Sequence, residues 1–237
     1  YYSEKIIYLP RCSQPIDQSV TPGKKIFTRE SEGLPKKGFI FCCFNSCFKI
    51  TPNIFQIWVN LLSAIDNSIL WFPGFSALAI KNLRKECVKL GIDDSRLIFS
   101  SLEEHKADYL TKIKLADIFL DSYPFGGHST VSDFLKAGVP IVTLRGRSIP
   151  NQVASSFLSN LNLPELITAS EKEYENLAMK LASDPKYLKE IKKKLTLNVS
   201  SSFIYDINKY TLSLESGYIQ IYDRYHNKLN PDNIDAQ

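Results

Sequence analysis

From residue 38 onward, short apolar runs alternate with longer segments of helical periodicity, and this alternation constrains the fold more than any other feature. Short apolar runs bounded by glycine or polar residues are typical of strands buried on both faces. We predict strands at residues 38–45, 68–72, 96–100, 117–121, 140–144 and 165–168. Because a helical segment follows each run, crossover connections make the strands parallel. The sequence therefore predicts an α/β fold, a doubly wound, Rossmann-like parallel sheet with helices on both faces.

The segments between the strands carry apolar residues at helical spacing, with recognisable start and stop residues. Thr51 and Pro52 begin the first helix, and Gly91 and Gly138 end two later ones. We predict helices at residues 52–65, 76–90, 105–114, 128–137, 151–161, 170–183, 185–197 and 206–226. Ligands of such sheets bind beyond the carboxyl ends of the strands, so functional residues are expected directly after each strand.

The composition of the chain changes near both of its ends. Residues 1–37 begin with an extended stretch, continue as a polar segment with Pro and Gly, and are expected to connect from an upstream lobe. Residues 38–227 are predicted to form the α/β domain with its C-terminal helices, and residues 228–237 a polar tail. Because the chain begins with Tyr1 in a strand-like segment, we expect it to be a piece of a longer protein.

Charge, hydropathy and cysteine usage exclude several classes of protein. The formal net charge is +4, and the one dense basic stretch, residues 189–194, is interpreted as a solvated helix face, not a nucleic-acid surface. No run is long and apolar enough to span a membrane, and no stretch has the pattern of a signal peptide, so we expect neither feature in these residues. The five cysteines have no metal-like spacing, which favours buried thiols in a reducing, cytoplasmic compartment.

The segment that follows the fourth predicted strand is the best candidate site. Gly126 and Gly127 allow a ligand to approach the backbone, and the first amide hydrogens of the next helix lack helical partners. His128, Ser129 and Thr130 add an imidazole and two hydroxyl groups. We therefore favour an anion site suited to a diphosphate over a simple glycine turn.

Other polar residues are expected at the same edge of the sheet. Asp133 lies one turn into the helix and could reach the hydroxyls of a ribose. Lys49 follows the first strand and could neutralise a departing diphosphate, although the pattern fits a surface lysine equally well. Lys106, Tyr109 and Lys112 share a helix face, for which the sequence alone favours a solvated surface. No residue cluster predicts a metal site.

At these residues the chain resembles the C-terminal catalytic lobe of the O-linked N-acetylglucosamine transferase family, which includes the SPINDLY-like proteins. The resemblance covers nearly the whole chain and is most specific at residues 115–146. It also includes residues 1–10, 44–71, 151–158, 163–167 and 171–184, in the order of the family. It implies the second, donor-binding lobe of a two-lobed GT-B glycosyltransferase.

The resemblance also implies roles for individual residues. It implies inverting transfer without a metal or cofactor, from a nucleotide diphosphate sugar to protein side chains. Lys49 matches the lysine that contacts the diphosphate and is needed for turnover. The residues matched to the phosphate, ribose and base contacts of the donor are Ser46, Lys106, Tyr109, Lys112, Gly127, His128, Ser129, Thr130 and Asp133.

Four departures from the family pattern leave the identity of the donor open. Ser46 stands where a glutamine lies near the diphosphate, and Tyr109 and Lys112 replace a base-stacking histidine and an arginine. Asn151 and Gln152 replace a Ser-Arg pair. The transferred sugar could accordingly be N-acetylglucosamine, glucose or fucose.

We expect the chain to be the donor-binding lobe of an enzyme that moves a sugar from a UDP-sugar to Ser or Thr of an acceptor protein. The resemblance implies that this sugar is N-acetylglucosamine. An upstream catalytic lobe, and tetratricopeptide repeats of the same chain, are expected partners, so this piece alone is predicted to be inactive. A bacterial relative that glucosylates asparagine and a non-catalytic nucleotide-sugar-binding or scaffolding module stay open as alternatives. The lysine-, isoleucine- and asparagine-rich composition favours a bacterial source.

Overall fold

The computed structural model describes residues 3–10, 12–16, 19–101 and 103–236. Contacts within the chain define two compact units. The larger unit comprises residues 20–200, and the smaller one comprises the described parts of residues 1–19 and 201–237.

These units depart from the predicted boundaries at residues 37 and 227. The expected connector contributes to the larger unit from residue 20 onward. Within that unit Leu34 is 4% exposed, and the Arg29 guanidinium pairs with the Asp117 carboxylate at 3.1 Å. Polar composition concealed this packing, because only a few of these side chains are apolar.

The described strands and helices follow the predicted alternation. The strands are β1 (Ile7–Tyr8), β2 (Ile40–Cys42), β3 (Ile69–Pro73), β4 (Leu97–Ser100), β5 (Ile118–Leu120), β6 (Ile141–Leu144), β7 (Ile167–Thr168) and β8 (Ile234–Asp235). The helices are α1 (Pro52–Ala64), α2 (Ala77–Lys89), α3 (Lys106–Lys112), α4 (Ser129–Lys136), α5 (Val153–Asn160), α6 (Glu171–Ser183), α7 (Pro185–Ser200) and α8 (Ile207–His226).

The larger unit contains one parallel sheet with the strand order β4-β3-β2-β5-β6-β7. Phe41, Trp71 and Phe119 in its inner strands have no exposed surface, as expected for strands covered by helices on both faces. The predicted doubly wound fold is therefore confirmed. The chain runs from β2 outward to β4 and then returns to the other side of β2 with β5. This reversal creates a crevice at the carboxyl ends of β2 and β5.

Local sequence signals explain where the helices begin. The Thr51 hydroxyl caps α1 by accepting the Ile54 amide hydrogen at 3.4 Å, and Pro52 occupies the first helical position. Trp58 of α1 is buried, and its indole nitrogen donates to the hydroxyl of Tyr174 in α6 at 3.1 Å. This hydrogen bond between buried side chains fixes α1 against α6.

The smaller unit contains a short pairing between distant parts of the chain. Ile7 of β1 pairs in parallel with Ile234 of β8, and Ala236 beside it is 6% exposed. Gly217 of α8 allows this approach, since a Cβ atom there would lie 2.9 Å from Ile7 Cγ2. The segment predicted as a polar tail thus supplies a partly buried strand.

No helix in the described parts of the chain combines the length and apolarity needed to cross a membrane. All five cysteines are free thiols. Cys42, Cys43 and Cys87 are buried as expected, and burial raises the pKa of Cys87 to about 11. Cys12 and Cys47 are partly exposed.

Candidate functional site

The segments that follow β2 and β5 meet at the reversal point of the sheet. Asn45, just beyond β2, is buried, and its amide donates to Asp121 Oδ1 at 3.1 Å and to Ser122 Oγ at 2.7 Å. The Ser122 hydroxyl in turn donates to the Phe125 carbonyl at 2.7 Å. These bonds join the two segments and give the glycine loop (residues 124–128) a fixed base.

Asp121 is a buried carboxylate directly beneath the glycine loop. It accepts the Gly127 amide hydrogen at 2.7 Å and the Thr143 hydroxyl at 2.8 Å, in addition to the Asn45 amide. Burial raises the pKa of Asp121, and the hydrogen bonds that it accepts partly oppose this change. The carboxylate is therefore held by donors from three separate parts of the chain.

The two glycines are required by close packing in the loop. A Cβ atom on Gly126 would lie 2.8 Å from Asp121 Oδ2, and one on Gly127 would lie 2.6 Å from Asn45 Oδ1. Any side chain at either position would push the loop away from its base. The glycines thus serve to bring the loop onto Asp121 as well as to leave room above it.

Lys49 lies at the crevice, next to the glycine loop. Its ammonium group donates to the Gly126 carbonyl at 2.8 Å and lies 4.2 Å from the centroid of the Phe125 ring. Burial lowers the pKa of Lys49, while the negative charge of Asp121 raises it. Ser46 begins the turn that carries Lys49, and its carbonyl accepts the Lys49 amide hydrogen at 3.0 Å. The predicted proximity of Lys49 to the loop is confirmed.

The residues after the glycines form the beginning of α4. His128 precedes the helix, its ring stacks on Phe125 with centroids 5.6 Å apart, and its Nε2 lies 3.3 Å from the Pro150 carbonyl. Ser129 is exposed and Thr130 is half-buried. The first amides of a helix carry partial positive charge, so this end of α4 suits an anion.

Helices α3 and α4 bring three of the predicted residues together. The Lys106 ammonium group contacts the Asp133 carboxylate and lies 5.0 Å from the centroid of the Tyr109 ring. Burial raises the pKa of Asp133, and Lys106 opposes this change. Tyr109 is half-buried, and burial raises the pKa of its hydroxyl. The three residues form a polar and aromatic cluster on one side of the loop.

Lys112, predicted to contact a donor, has a different environment. Only 1% of its side chain is exposed, and its ammonium group pairs with Glu32 at 2.7 Å and Glu103 at 3.1 Å. It also donates to the Ser101 carbonyl at 2.8 Å. Its charge is therefore paired inside the protein, so the expectation of a solvated helix face is wrong at Lys112, and its donor-binding role stays a prediction. The sequence concealed this because Glu32 belongs to the segment that was expected to be a connector.

Sequence reasoning missed Asp121, Asn45 and Phe125. Asp121 and Asn45 could have been found as polar residues at the ends of apolar runs, the positions expected to bear function. Phe125 carries no such signal, because an aromatic residue beside two glycines fits the core equally well. Among the described residues, no group of three or more His, Cys, Asp or Glu side chains is arranged to hold a metal ion.

Comparison with known protein families gives a match over most of the chain. Residues 15–214 match the sequence profile of Glycosyl transferase family 41. A UDP-N-acetylglucosamine–peptide N-acetylglucosaminyltransferase of Caenorhabditis elegans is 33% identical over 207 residues, 87% of this chain and 18% of the relative. A probable transferase of the same description, SPINDLY of Hordeum vulgare, is 34% identical over 193 residues, 79% of this chain and 20% of the relative. This chain therefore spans about a fifth of the length of these curated relatives.

Comparison with solved structures supports the same architecture. A mutant O-GlcNAc transferase of Thermobaculum terrenum superposes with a TM-score of 0.75 at 23% identity, over 93% of this chain and 40% of that one. A sucrose-phosphate synthase of Thermosynechococcus elongatus superposes with a TM-score of 0.57 at 17% identity, over 82% and 48%. These similarities confirm the predicted fold, that of one lobe of a GT-B glycosyltransferase.

Proposed function

Because this chain belongs to glycosyl transferase family 41, we propose that it is the donor-binding lobe of an inverting, metal-independent protein glycosyltransferase. The proposed reaction moves N-acetylglucosamine from a UDP-sugar to a Ser or Thr hydroxyl of an acceptor protein. The names of the curated relatives support both the donor and the peptide acceptor. The upstream catalytic lobe, and tetratricopeptide repeats, are proposed to belong to the same longer chain.

The contact between Lys49 and the glycine loop carries this proposal. The Lys49 ammonium group lies 2.8 Å from the Gly126 carbonyl, close in the chain to the first turn of α4. A cation and a helix N-terminus at one point suit the negative charge that builds up on the departing UDP. Preorganised charges of this kind stabilise the transition state without rearrangement during the reaction. Lys49 is accordingly proposed as the catalytic residue of this lobe.

The other residues of the site are proposed to bind and orient the donor. His128, Ser129, Thr130 and the Gly127 backbone would contact the phosphates, with Ser46 at the edge of the same space. Asp133 is proposed to accept hydrogen bonds from ribose hydroxyls, since a carboxylate is an acceptor with several lone pairs. Its present contact with Lys106 would then be shared with the ribose.

Tyr109 is proposed to face the base of the donor. Its ring is half-buried and lies 6.3 Å from the Phe44 ring, so it offers a flat surface on a firm support. A cytoplasmic, reducing location, supported by the five free thiols, and a bacterial source are proposed as well. The base that accepts the proton of the acceptor hydroxyl is proposed to come from the upstream lobe.

Calorimetric titration with UDP, GDP and UDP-N-acetylglucosamine tests the proposal directly. We expect saturable binding of UDP and its sugar, weakened at least about tenfold by Lys49→Ala, because a charge-assisted contact to phosphate is lost. Lys81→Ala removes an exposed lysine of α2 and serves as the matched control. A preference for GDP would overturn the uridine assignment, and unchanged affinity of Lys49→Ala would overturn the role of Lys49.

A further inference from the structure

A second cleft lies at the carboxyl ends of β6 and β7, with a volume of about 770 Å³. Its lining includes Tyr123 beyond β5, Arg145 and Arg147 beyond β6, and Thr168 at the end of β7. This is the edge of the sheet at which ligands of such folds bind. The donor proposed above does not require it.

The arginines in this cleft differ from the other arginines that the structure describes. Arg29, Arg84, Arg96 and Arg224 each donate side-chain hydrogen bonds to carbonyl or carboxylate oxygens. The guanidinium groups of Arg145 and Arg147 have no such partner within the described residues, and both residues are exposed. Two uncompensated guanidinium groups two residues apart thus line one cleft.

The turn that carries the two arginines is held in place by its neighbours. The Gln152 amide donates to the carbonyls of Gly146 and Arg147 at 3.2 and 3.1 Å. The side chain of Asn151, which is 7% exposed, packs directly against Gly146, where a Cβ atom would collide with it. Glycine is therefore needed between the arginines, and the backbone from which they project is fixed.

Glu173 is the one carboxylate that lines the cleft in the described parts of the chain, and it has another role. Its Oε2 accepts the Ala169 amide hydrogen at 2.9 Å, and the Ser170 hydroxyl accepts the Glu173 amide hydrogen at 3.2 Å. This reciprocal pair caps the start of α6. Within the described residues Glu173 forms no ion pair with Arg145 or Arg147, so both guanidinium groups can pair with a ligand.

Pro150, which directly precedes the cleft-lining residue Asn151, contacts the glycine loop. The Pro150 carbonyl accepts the Gly126 amide hydrogen at 3.2 Å and lies 3.3 Å from His128 Nε2. A chain that occupies the cleft would therefore run beside the residues proposed to hold the donor. An acceptor hydroxyl has to approach the donor sugar in this neighbourhood.

We propose that the cleft binds acidic residues of the acceptor polypeptide close to the hydroxyl that receives the sugar. Arg145 and Arg147 pair with Asp or Glu carboxylates, whose geometry the guanidinium fork matches. The proposal rests on the proposed function, since it assumes a polypeptide acceptor. It assigns the preference for the acceptor to this turn, separately from the recognition of the donor.

Fluorescence anisotropy with labelled Ser-containing peptides tests this proposal on the chain, with and without saturating UDP. One peptide carries Asp and Glu around the serine, and its partner of equal length carries Asn and Gln. We expect the acidic peptide to bind roughly tenfold more tightly. The double variant Arg145→Gln/Arg147→Gln should lose this preference, and Arg145→Lys/Arg147→Lys should restore part of it. The control Lys81→Gln/Lys114→Gln removes the same charge from exposed sites and should retain the preference.

The outcomes separate this proposal from the donor proposal. Equal affinity for the two peptides, or an unchanged preference in the Arg145→Gln/Arg147→Gln variant, overturns the acidic-acceptor site, whether or not UDP binds. The acidic-acceptor site would also be overturned if Arg145→Gln/Arg147→Gln weakened the binding of UDP-glucuronic acid and left peptide binding unchanged. The carboxylate that the arginines recognise would then belong to the sugar. Absence of UDP binding together with a charge-dependent peptide preference would overturn the donor proposal and leave the cleft assigned.

Discussion

The carboxylate of Asp121 accepts the amide hydrogen of Gly127 at 2.7 Å, so a buried negative charge supports the loop proposed to hold a diphosphate. A negative charge under an anion site is unfavourable by itself. Lys49 offsets it, because its ammonium group contacts the same loop. Burial lowers the pKa of Lys49, and the negative charge of Asp121 opposes this change. The carboxylate therefore supports the loop and favours the charged form of the lysine.

Replacing Asp121 by Asn should change the pH dependence of UDP binding. Burial already lowers the pKa of Lys49, and loss of the Asp121 charge should lower it further. Protonated Lys49 is the form that attracts the diphosphate, so the affinity for UDP should fall as the pH rises. This fall should occur at a lower pH in Asp121→Asn than in the wild type. Calorimetric titration at a series of alkaline pH values measures this fall in affinity, the alkaline limb of UDP binding.

A second carboxylate provides the control for this variant. Asp117 accepts the Ile40 amide hydrogen at 2.8 Å and pairs with Arg29, on a different part of the sheet. Asp117→Asn should lower the free energy of unfolding without moving the alkaline limb of UDP binding. An Asp121→Asn protein whose limb coincides with that of the wild type would contradict the electrostatic role of Asp121.

Gly127→Ala should destabilise the larger unit and weaken UDP binding together. The new Cβ atom would lie 2.6 Å from Asn45 Oδ1 and 2.8 Å from Val131 Cγ2, so the loop has to shift. Overpacking of this kind costs about 1–3 kcal/mol. Urea denaturation and UDP titration measure the two effects. Ser129→Ala, which changes an exposed side chain two residues further along the chain, is the control for stability. Equal stability of the two variants would contradict the packing argument.

Lys112→Met should reduce stability far more than UDP affinity. The substitution leaves Glu32 and Glu103 without their buried partner, and breaking such a pair costs about 3–5 kcal/mol. Chemical denaturation measures the loss, and UDP titration is done well below the transition. A large loss of UDP affinity at unchanged stability would contradict this expectation and support the donor-binding role that the resemblance implies for Lys112.

Tyr174→Phe should destabilise the support of the site. The Tyr174 hydroxyl donates to the Asp121 carbonyl at 3.0 Å and accepts from the Trp58 indole at 3.1 Å, and all three residues are buried. Leaving a buried donor and acceptor unpaired costs about 1–3 kcal/mol for each group. Denaturation followed by tryptophan fluorescence measures the change. Tyr187→Phe, on the more exposed side of α7, is the control, and equal effects would contradict this argument.

The sheet was predictable because its strands are continuous apolar runs separated by helical periodicity, a pattern that burial on both faces imposes. The pairing of β1 with β8 was not predictable, because a strand of two residues, Ile7 and Tyr8, carries too little periodicity to identify its partner. Polar segments that fold onto a domain through a few contacts, as Arg29 does with Asp117, are hidden for the same reason.

The candidate site was partly predictable. The glycine loop and Lys49 follow strands, and parallel strands bring their carboxyl ends together, so their contact could be foreseen. The burial of Lys112 could not be foreseen, because helical spacing shows which residues share a face but not which residues pack against that face. The roles of the site residues in binding are predictions that UDP titration tests.

The carbonyl of Pro150 joins the glycine loop to the turn that bears Arg145 and Arg147. If a ligand in either space shifts this carbonyl, its contacts with Gly126 and His128 carry the shift to the other space. Thermodynamic linkage then requires reciprocity: the donor raises the affinity for the acceptor by the same factor by which the acceptor raises that for the donor. One peptide group would thereby couple the affinities of the lobe for its two ligands.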